Sequence, residues 1–198
     1  MAWNDIPGRA AYLWLYDELL DRVEADPLRV FRVAEVGVAL GKSIAYLVTE
    51  AQRRNLDKRI QVFAVDAWGG FARNGEQQAL STPDKDYELF MAMMQDNAPD
   101  VLPRVNIIRH LSVDGARLFE DRSFDLVVLD ADHTFQAVRD DIAAWEPKVK
   151  FGGVIGGDDW VPDFPGVEQA VKERFLGVRD IDIRIDHEHK WGSWRVRL

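Results

Sequence analysis

The stretch that decides the fold is Phe31 to Gln52, FRVAEVGVALGKSIAYLVTEAQ. It opens with an apolar run, Val33 to Val36, that is short enough for a fully buried strand, and two close glycines, Gly37 and Gly41, follow it. Ser43 is then placed to cap a helix, because apolar residues recur at helical spacing after it. The pattern predicts a strand, a tight glycine turn and a helix N-terminus, which together form a corner suited to binding a nucleotide.

The spacing of the glycines narrows the choice of nucleotide. A residue at Gly37 or Gly41 must either adopt a positive φ or let a ligand lie against the backbone, and glycine permits both. A phosphate-binding loop needs four residues between its first glycine and its GK[S/T] group, whereas GVALGKS has three and Glu35 would bring a carboxylate near the phosphates. A dinucleotide fold needs a glycine where Ala39 stands. The spacing therefore disfavours both kinds of site.

The form E-V-G-x-x-x-G-x-S resembles the first motif of class I S-adenosylmethionine-dependent methyltransferases. That cofactor has no phosphate and carries a cationic sulfonium and an α-amino group, so an acidic strand end suits it. The resemblance implies that Glu35, Gly37 and Gly41 hold the amino-acid end of S-adenosylmethionine, and that Ser43 belongs to the same site.

Length and composition exclude several classes of protein. With 198 residues, 47% of them hydrophobic, the chain is expected to form one domain over residues 1–198. The sequence shows no membrane span and no signal peptide, so we expect a cytoplasmic protein without a membrane partner. The absence of cysteine excludes disulfides and cysteine nucleophiles. A formal net charge of −9 argues against a nucleic-acid partner.

Two segments outside the glycine motif are expected to shape the site. Ala10 to Glu24 has mostly helical apolar spacing and Asp26-Pro27 ends it, so residues 1–27 are predicted to contribute an N-terminal helix covering the sheet. Trp3 and Trp14 are candidates for packing on a second subunit, which makes a homo-oligomer one expectation. The polar segment 69–83 is long for a connection, and we interpret it as a lid loop.

A second strand, Arg59 to Val65, ends at Asp66. An acid at this place binds ribose hydroxyls in dinucleotide folds and the adenosine ribose in the methyltransferases, so Asp66 fits either cofactor. Ala67 and Trp68 follow, and VDAWGG resembles the VDxW of one branch of small-molecule methyltransferases. The resemblance places Ala67 in the cofactor site and gives Trp68 a place covering the adenine or forming a wall of the site.

A third strand is predicted from Arg104 to Leu111, and a short helix follows it. In the methyltransferase pattern the residue at Ser112 borders the adenine, which a hydroxyl at the ring edge can serve by a hydrogen bond. An ordinary turn or cap residue is the alternative for Ser112.

The most apolar short run of the chain, Phe124 to Leu129, predicts a central strand that ends at Asp130. A further short strand, Val154 to Ile155, follows a turn at two glycines and ends at Asp158 and Asp159. Since ligands of open α/β sheets bind outside the carboxyl ends of the strands, the three carboxylates should meet in one cleft.

Three carboxylates in one cleft repel one another unless protons, basic residues or a cation offset their charge. Oxygen-only ligands favour Mg²⁺ or Ca²⁺. The arrangement resembles that of metal-dependent O-methyltransferases of the catechol type and of small antibiotic-tailoring enzymes related to them. The resemblance implies that Asp130, Asp158 and Asp159 hold a divalent ion, which we expect to be Mg²⁺, and that Asp130 serves the cofactor and the reaction as well. A solvated acidic rim without metal is the alternative.

One position departs from the catechol pattern. Those enzymes place a lysine three residues after the first acid, where this chain has His133. Imidazole, with an unperturbed pKa of about 6.5, suits a base that accepts a proton from a metal-bound hydroxyl. We therefore predict that His133 is catalytic; the alternative is a histidine that orients Asp132 or caps the following helix.

The C-terminal part completes the predicted fold. Asp180 to Asp186 alternates isoleucine with charged residues, and Ser193 to Leu198 returns as its antiparallel partner. The element order predicts an α/β, Rossmann-like fold, with a mostly parallel seven-stranded sheet, a C-terminal antiparallel hairpin and helices on both faces. We predict a methyltransferase that uses S-adenosylmethionine to methylate an oxygen of a small hydroxylated molecule. An NAD-dependent oxidoreductase and a catalytically silent nucleotide-binding protein are the alternatives.

Overall fold

The structure is a computed structural model that describes residues 2–69, 72–73, 76–77, 83–186 and 189–198. Its main sheet has seven strands in the order β5-β2-β1-β6-β7-β9-β8. The first five of these are parallel, whereas β9 runs antiparallel to β7 and to β8. The strands are β1 (Phe31–Val36), β2 (Ile60–Asp66), β5 (Val105–Arg109), β6 (Phe124–Leu129), β7 (Val149–Gly157), β8 (Ile181–Asp186) and β9 (Trp191–Arg197).

A separate two-stranded hairpin, β3 (Ala72–Arg73) with β4 (Glu76–Gln77), lies in the segment predicted to be a lid. Most of that segment lies outside the described residues, and the lid stays a prediction. The helices are α1 (Leu13–Ala25), α2 (Lys42–Arg53), α3 (Pro83–Asn97), α4 (Ser112–Ala116), α5 (Phe135–Trp145) and α6 (Pro165–Phe175), with single 3₁₀ turns at Trp3–Asp5, Asp57–Arg59, Leu102–Arg104 and Glu146–Lys148.

Helices cover both faces of the sheet, and each face has its own core. One cluster joins buried residues of α1, α2 and α3 to β1 and β2, and the other joins α5 and α6 to β6, β7 and β9. Strand β6 lies between the two cores, and all six of its residues are buried. A strand covered on both faces needs an apolar sequence, which is why FDLVVL is the least polar run in the chain. The predicted fold class is confirmed.

Two local predictions were wrong. Helix α2 begins at Lys42 with Gly41 as its N-cap, so Ser43 lies inside the helix and does not cap it. Strand β7 begins at Val149 and not at Val154, because the glycine pair forms an irregularity within the strand opposite β6. No helix in the described part of the chain is both long and apolar enough to cross a membrane.

Candidate active site

The glycine corner lies where β1, β6 and α3 approach one another. Gly37 and Gly41 have φ values of 87° and 86°, in the left-handed region. A Cβ on Gly37 would lie 2.1 Å from the carbonyl oxygen of Asp130, and one on Gly41 would lie 2.6 Å from the Sδ of Met94. Both glycines are therefore required by the backbone and by close packing. This packing brings the loop after β1 directly against the end of β6.

Asp66 fixes that loop from the neighbouring strand. Its Oδ2 accepts the backbone N–H groups of Val38 and Ala39 at 2.7 and 3.0 Å, and its Oδ1 accepts the N–H of Trp68 at 2.7 Å. An ionised carboxylate has about four lone-pair sites, so three of these bonds leave capacity for one further donor. The predicted ribose contact fits this remaining capacity.

Trp68 packs below the loop. Its side chain is buried, its indole N–H donates to the carbonyl oxygen of Ala39 at 3.0 Å, and its ring contacts Phe90 and Tyr87 of α3. The adjacent Ala67 is half-buried. The structure thus gives Trp68 a supporting place between α3 and the loop.

Glu35 is fully buried and is held by hydroxyl groups. Ser43 donates to its Oε1 at 2.6 Å and Tyr16 donates to its Oε2. Burial raises the pKa of Glu35 to about 8, although the hydrogen bonds from Ser43 and Tyr16 oppose the shift. Glu35 thus lies beneath the glycine loop, joined to both α1 and α2.

Sequence reasoning missed the two tyrosines of the N-terminal helix region. Tyr12 and Tyr16 are buried, and burial together with the charges of Glu35 and Asp130 raises the pKa of both phenols. The available signal was their spacing of four residues, which places them on one helical face within a leucine stripe. The N-terminal segment therefore contributes polar groups next to the acids.

Ser112 lies at the start of α4 and binds within the protein. Its hydroxyl oxygen accepts the indole N–H of Trp145 at 3.1 Å and its hydroxyl is bonded to Asp141. Burial raises the pKa of Asp141 to about 7, and this bond opposes the shift. Ser112 thus links α4 to α5 near the predicted adenine position.

Three predicted residues converge at the carboxyl ends of β6 and β7. The Nε2 of His133 lies 3.4 Å from the Oδ1 of Asp130 and 3.1 Å from the Oδ2 of Asp159. One ligand atom from each of the three lies within 4.8 Å of the others, the closeness that a shared metal ion requires. Each of the three side chains is about a fifth to a quarter exposed, with values of 20%, 21% and 26%. Solvent and small ligands can therefore reach the cluster.

Asp158 lies apart from this cluster. Its Oδ2 accepts the backbone N–H of Ala11 at 3.3 Å, its Oδ1 accepts the N–H of Asp159 at 2.9 Å, and its side chain is buried. Burial and the nearby charges of Asp130 and Asp159 raise the pKa of Asp158 to about 8. Asp159 has a φ of 57°, a conformation that aspartate tolerates better than most residues. The structure thus brings Asp130 and Asp159 together with His133, and turns Asp158 toward the N-terminal segment.

The residues of this cluster fit a divalent ion. The Nε2 of His133 is buried and makes no hydrogen bond of normal geometry in the described structure, although two carboxylate oxygens lie close to it. Burial lowers the pKa of His133, but the close approach of Asp130 and the charges of Asp159 and Asp158 outweigh burial, so the pKa of His133 is raised. Two carboxylates and one imidazole are a donor set that Mn²⁺, Fe²⁺ and Zn²⁺ accept, as well as Mg²⁺ when water completes the shell.

Comparison with solved structures places the fold among methyltransferases. The O-methyltransferase NovP shares 15% identity and a TM-score of 0.66, with 94% of this chain and 79% of that chain covered. An S-adenosylmethionine-dependent O-methyltransferase from Thermotoga maritima shares 14% identity and a TM-score of 0.60 over 98% and 68% of the two chains. CalS11, a TDP-rhamnose 3′-O-methyltransferase of calicheamicin biosynthesis, shares 17% identity and a TM-score of 0.59. The match covers 93% of this chain and 78% of that chain. At these identities the likeness shows the fold alone.

No curated protein gives a significant match to the sequence. A family model described as a methyltransferase domain matches residues 34–160, which include the glycine loop, Asp66, Ser112, Asp130 and the acid pair after β7. The match confirms the resemblance to class I S-adenosylmethionine-dependent methyltransferases that the motifs implied. The chain belongs to the methyltransferase-domain family.

Proposed function

We propose that this methyltransferase moves the methyl group of S-adenosylmethionine to an oxygen of a small hydroxylated molecule, with a divalent cation held by Asp130 and Asp159. The observation that carries the proposal is the convergence of Asp130, His133 and Asp159 directly beside the glycine loop. A cluster of acids at this position serves no evident packing purpose, because its charges repel and part of each side chain reaches solvent.

The proposed cofactor site follows the loop after β1. Gly37 and Gly41 give the loop the left-handed turns that set its path past the end of β6, and Glu35 supplies a buried acid beneath it, held by Ser43. In the proposed complex this loop faces the amino-acid end of the cofactor. Asp66, at the end of β2, retains acceptor capacity for a ribose hydroxyl. Ala67, Trp68 and Ser112 would border the adenosine from β2 and α4.

The proposed metal site lies next to this cofactor site. Asp130 and Asp159 offer carboxylate oxygens from the ends of neighbouring strands, and Asp158 supports them through its bond to the backbone of Asp159. A bound Mg²⁺ or Mn²⁺ would lower the pKa of a substrate hydroxyl by Lewis acidity. The two aspartates would also fix where that hydroxyl lies relative to the methyl group, and alignment is the main requirement of an in-line transfer.

His133 is the proposed proton acceptor. Its ring packs edge-on against Phe164, which holds its orientation, and its Nε2 lies beside the two aspartates that would hold the cation. In the transfer, the acceptor oxygen forms a bond to the methyl carbon while the carbon–sulfur bond breaks. The hydroxyl proton passes to His133 and S-adenosylhomocysteine leaves. The close approach of Nε2 to both aspartates also supports an alternative role for His133 as a third metal ligand, in which this nitrogen could not accept the proton.

The small size of the acceptor is inferred from charge and from the solved relatives. The net charge of −9 opposes binding of a phosphate backbone. By their names, NovP and CalS11 are O-methyltransferases, and CalS11 acts on a sugar nucleotide. A sugar or phenolic hydroxyl is therefore the class of acceptor that we would test first.

The test has three measurements. Calorimetry with S-adenosylhomocysteine should show binding, and titration with NADH should show none. Transfer of label from methyl-labelled S-adenosylmethionine to a panel of sugar nucleotides and catechols should depend on added Mg²⁺ or Mn²⁺ and stop with EDTA. Binding without transfer to any hydroxylated acceptor would instead indicate a catalytically silent protein.

His133→Ala separates the two roles of the histidine. If His133 is the base, the variant keeps its affinity for Mn²⁺ and loses turnover. If His133 is a metal ligand, the variant loses Mn²⁺ affinity as well. Asp163→Asn, at an exposed acid close in sequence to the cluster, is the matched control and should change neither property.

A further inference from the structure

The last strand of the sheet, β8, has an open outer edge. It pairs with β9 on one side, and no other strand in the described part of the chain pairs with it. Its six residues, IDIRID, alternate isoleucine with charged residues; Ile181 is half-buried and the other five are exposed. An edge strand of this length offers a row of backbone donors and acceptors to another strand, and proteins usually block or use such an edge.

One face of this edge is apolar. Four of the ten large hydrophobic residues that are exposed in the described structure fall between residues 176 and 185, namely Leu176, Val178, Ile183 and Ile185. Leu176 and Val178 are 67% exposed and lie in the connection that enters β8, while Ile183 and Ile185 are 41% and 48% exposed. A grouped apolar surface beside an unpaired edge is typical of a protein contact.

The other face of the edge carries charges of both signs. Asp182 accepts from Arg195 at 2.8 Å, and Arg184 lies 3.2 Å from Glu18 with its guanidinium 3.8 Å from the ring of Trp14. These contacts hold both side chains on the face of the sheet that α1 covers. Asp182 and Arg184 are therefore presented in a fixed order along the open edge.

We propose that β8 pairs in antiparallel fashion with β8 of a second copy of this chain, around a two-fold axis at Ile183. In this register Ile183 faces its own symmetry mate, Ile181 faces Ile185, and Asp182 faces Arg184 of the other copy. Asp186, the last residue of β8, faces Asp180, which precedes the strand. Both copies use the same surface, as a closed two-fold dimer requires. The isoleucines form one apolar row, and the two Asp–Arg pairs are the complementary centre of the charged row.

Neighbouring registers are less favourable, because they oppose like charges or put isoleucine opposite charged residues. A two-fold axis at Arg184 or Asp182 puts like charges opposite each other at the centre of the pairing. The axis at Ile183 does so only at its ends, where Asp186 faces Asp180. A shift by one residue puts isoleucine opposite a charged residue, because directly opposed residues share a face of the sheet. An axis at Ile185 keeps one kind of Asp–Arg pair but leaves Ile181 and Asp182 without partners among the strand residues. The sequence IDIRID thus specifies Ile183 as the centre.

The dimer would leave the candidate active site open. The acid cluster lies at the ends of β6 and β7, and β9 separates β7 from β8. The second copy would extend the sheet beyond β8, away from the glycine loop. The proposal therefore predicts that dimer formation and basal methyl transfer can be changed separately.

Single cysteines test the register directly, because the natural chain has none. Directly opposed residues of antiparallel strands have Cα atoms about 4.5–5.5 Å apart, within the range for a disulfide. Ile183→Cys should therefore form a covalent dimer under a mild oxidant. Ile185→Cys should not, because two copies of residue 185 would lie roughly 14 Å apart in this register. Leu118→Cys, at an exposed leucine in another region, is the control for random collisions.

A charge exchange tests the same pairs without cysteine. Sedimentation should show a dimer for the natural chain, and Asp182→Arg or Arg184→Asp should each weaken it about tenfold or more by opposing like charges. The double exchange should restore the dimer. The double variant also loses the contacts within the chain between residue 182 and Arg195 and between residue 184 and Glu18. Restoration of the dimer can therefore come only from contacts with the other copy. Circular dichroism and thermal unfolding verify that each variant is folded.

The outcomes separate cleanly. A covalent dimer of Ile183→Cys but not of Ile185→Cys supports the proposal, as does rescue by the double exchange. Preferential cross-linking of Ile185→Cys would overturn the register. A natural chain that stays monomeric at the highest attainable concentration, together with no cross-linking of Ile183→Cys above the Leu118→Cys control, would overturn the interface.

Discussion

An aspartate lies near the start of strand β6 and another directly follows its end, and the two have opposite surroundings. Asp125, near the amino end, is completely buried, yet it forms ion pairs with Arg29 and with Lys150 at 2.8 Å and accepts the backbone N–H of Arg32 at 2.9 Å. Asp130, at the carboxyl end, is partly exposed and has two further aspartates near it, with His133 as its one basic neighbour among the described contacts.

The difference teaches how to separate a structural acid from a functional one. At Asp125 the protein supplies its own cations, so the charge is balanced before any ligand arrives. At Asp130 burial raises the pKa while the close approach of His133 opposes the shift, and the pKa values of Asp158 and Asp159 are raised as well. The cluster thus holds more acidic groups than its basic neighbours balance. A cluster left with excess charge is suited to a cation from solution.

The largest effect should come from Asp130→Asn, which removes charge and a proposed metal ligand with little change of shape. We expect kcat/KM to fall by about 10²- to 10³-fold, in line with loss of one electrostatic contribution to a transition state. The melting temperature should stay equal or rise, because repulsion among the acids decreases. Steady-state kinetics and calorimetry check both parts, and a drop in stability with unchanged activity would reverse the roles assigned to the two ends of β6.

Asp125→Ala should do the opposite. It leaves the cationic groups of Arg29 and Lys150 next to a vacated buried site, and we expect a loss of about 2–4 kcal/mol in the free energy of unfolding. Activity per folded molecule should persist. Asp121→Ala, which removes an exposed partner of Lys148, is the matched control and should cost at most about 1 kcal/mol. If urea denaturation gave the two variants equal losses in the free energy of unfolding, the buried ion pairs of Asp125 would stabilise the fold no more than an exposed pair.

Glu35 is a buried acid whose neighbours are hydroxyl groups and not cations. The dependence of stability on pH should therefore reveal its raised pKa. Burial raises its pKa from 4.5 to about 8, so between these values the native state binds a proton that the unfolded state releases. This contribution to stability is complete below pH 4.5 and is lost as pH rises through 8.

Thermal unfolding without cofactor or metal should therefore show stability falling over this range, less steeply in Glu35→Gln. A slope would remain in the variant, since the pKa values of Asp158 and Asp141 are raised to about 8 and about 7 by burial. Parallel curves for the two proteins would show that Glu35 is ionised throughout.

The smallest effect is expected at Ser112, the hydroxyl partner of Asp141. Ser112→Ala removes the acceptor of the Trp145 indole N–H and the bond to Asp141, so we expect a loss of about 1 kcal/mol of stability. Ser123→Ala is the matched control, because the buried hydroxyl of Ser123 has no hydrogen-bond partner in the described structure. Weaker binding of S-adenosylhomocysteine to Ser112→Ala alone would support its place beside the adenine.

The sequence predicted what depends on local pattern. Strand β6 was located at its observed bounds, because a run of six mostly apolar residues has the length of a buried strand and is too short for most helices. Ser43 was misjudged as a cap because its hydroxyl bonds to Glu35, which lies eight residues away on β1. Helical periodicity over Ala10 to Glu24 could not show that the phenol of Tyr16 bonds to a buried acid. Partners that are distant in sequence are set by tertiary packing, which no local pattern contains.

The acid pair after β7 shows the same limit at the candidate site. Adjacent residues look equivalent in sequence, but the positive φ of Asp159 directs its side chain to His133 while Asp158 bonds to Ala11. Their strand end was predictable from the pattern, and their separate directions were not.

The most direct measurement of the central claim is electron paramagnetic resonance of Mn²⁺ titrated into the protein with S-adenosylhomocysteine present. We predict one bound Mn²⁺ per chain, displaced by Mg²⁺, with affinity lost in Asp159→Asn and kept in Asp163→Asn. A spectrum of free Mn²⁺ throughout the titration, or equal binding by both variants, would contradict the assignment of Asp130 and Asp159 as a metal site.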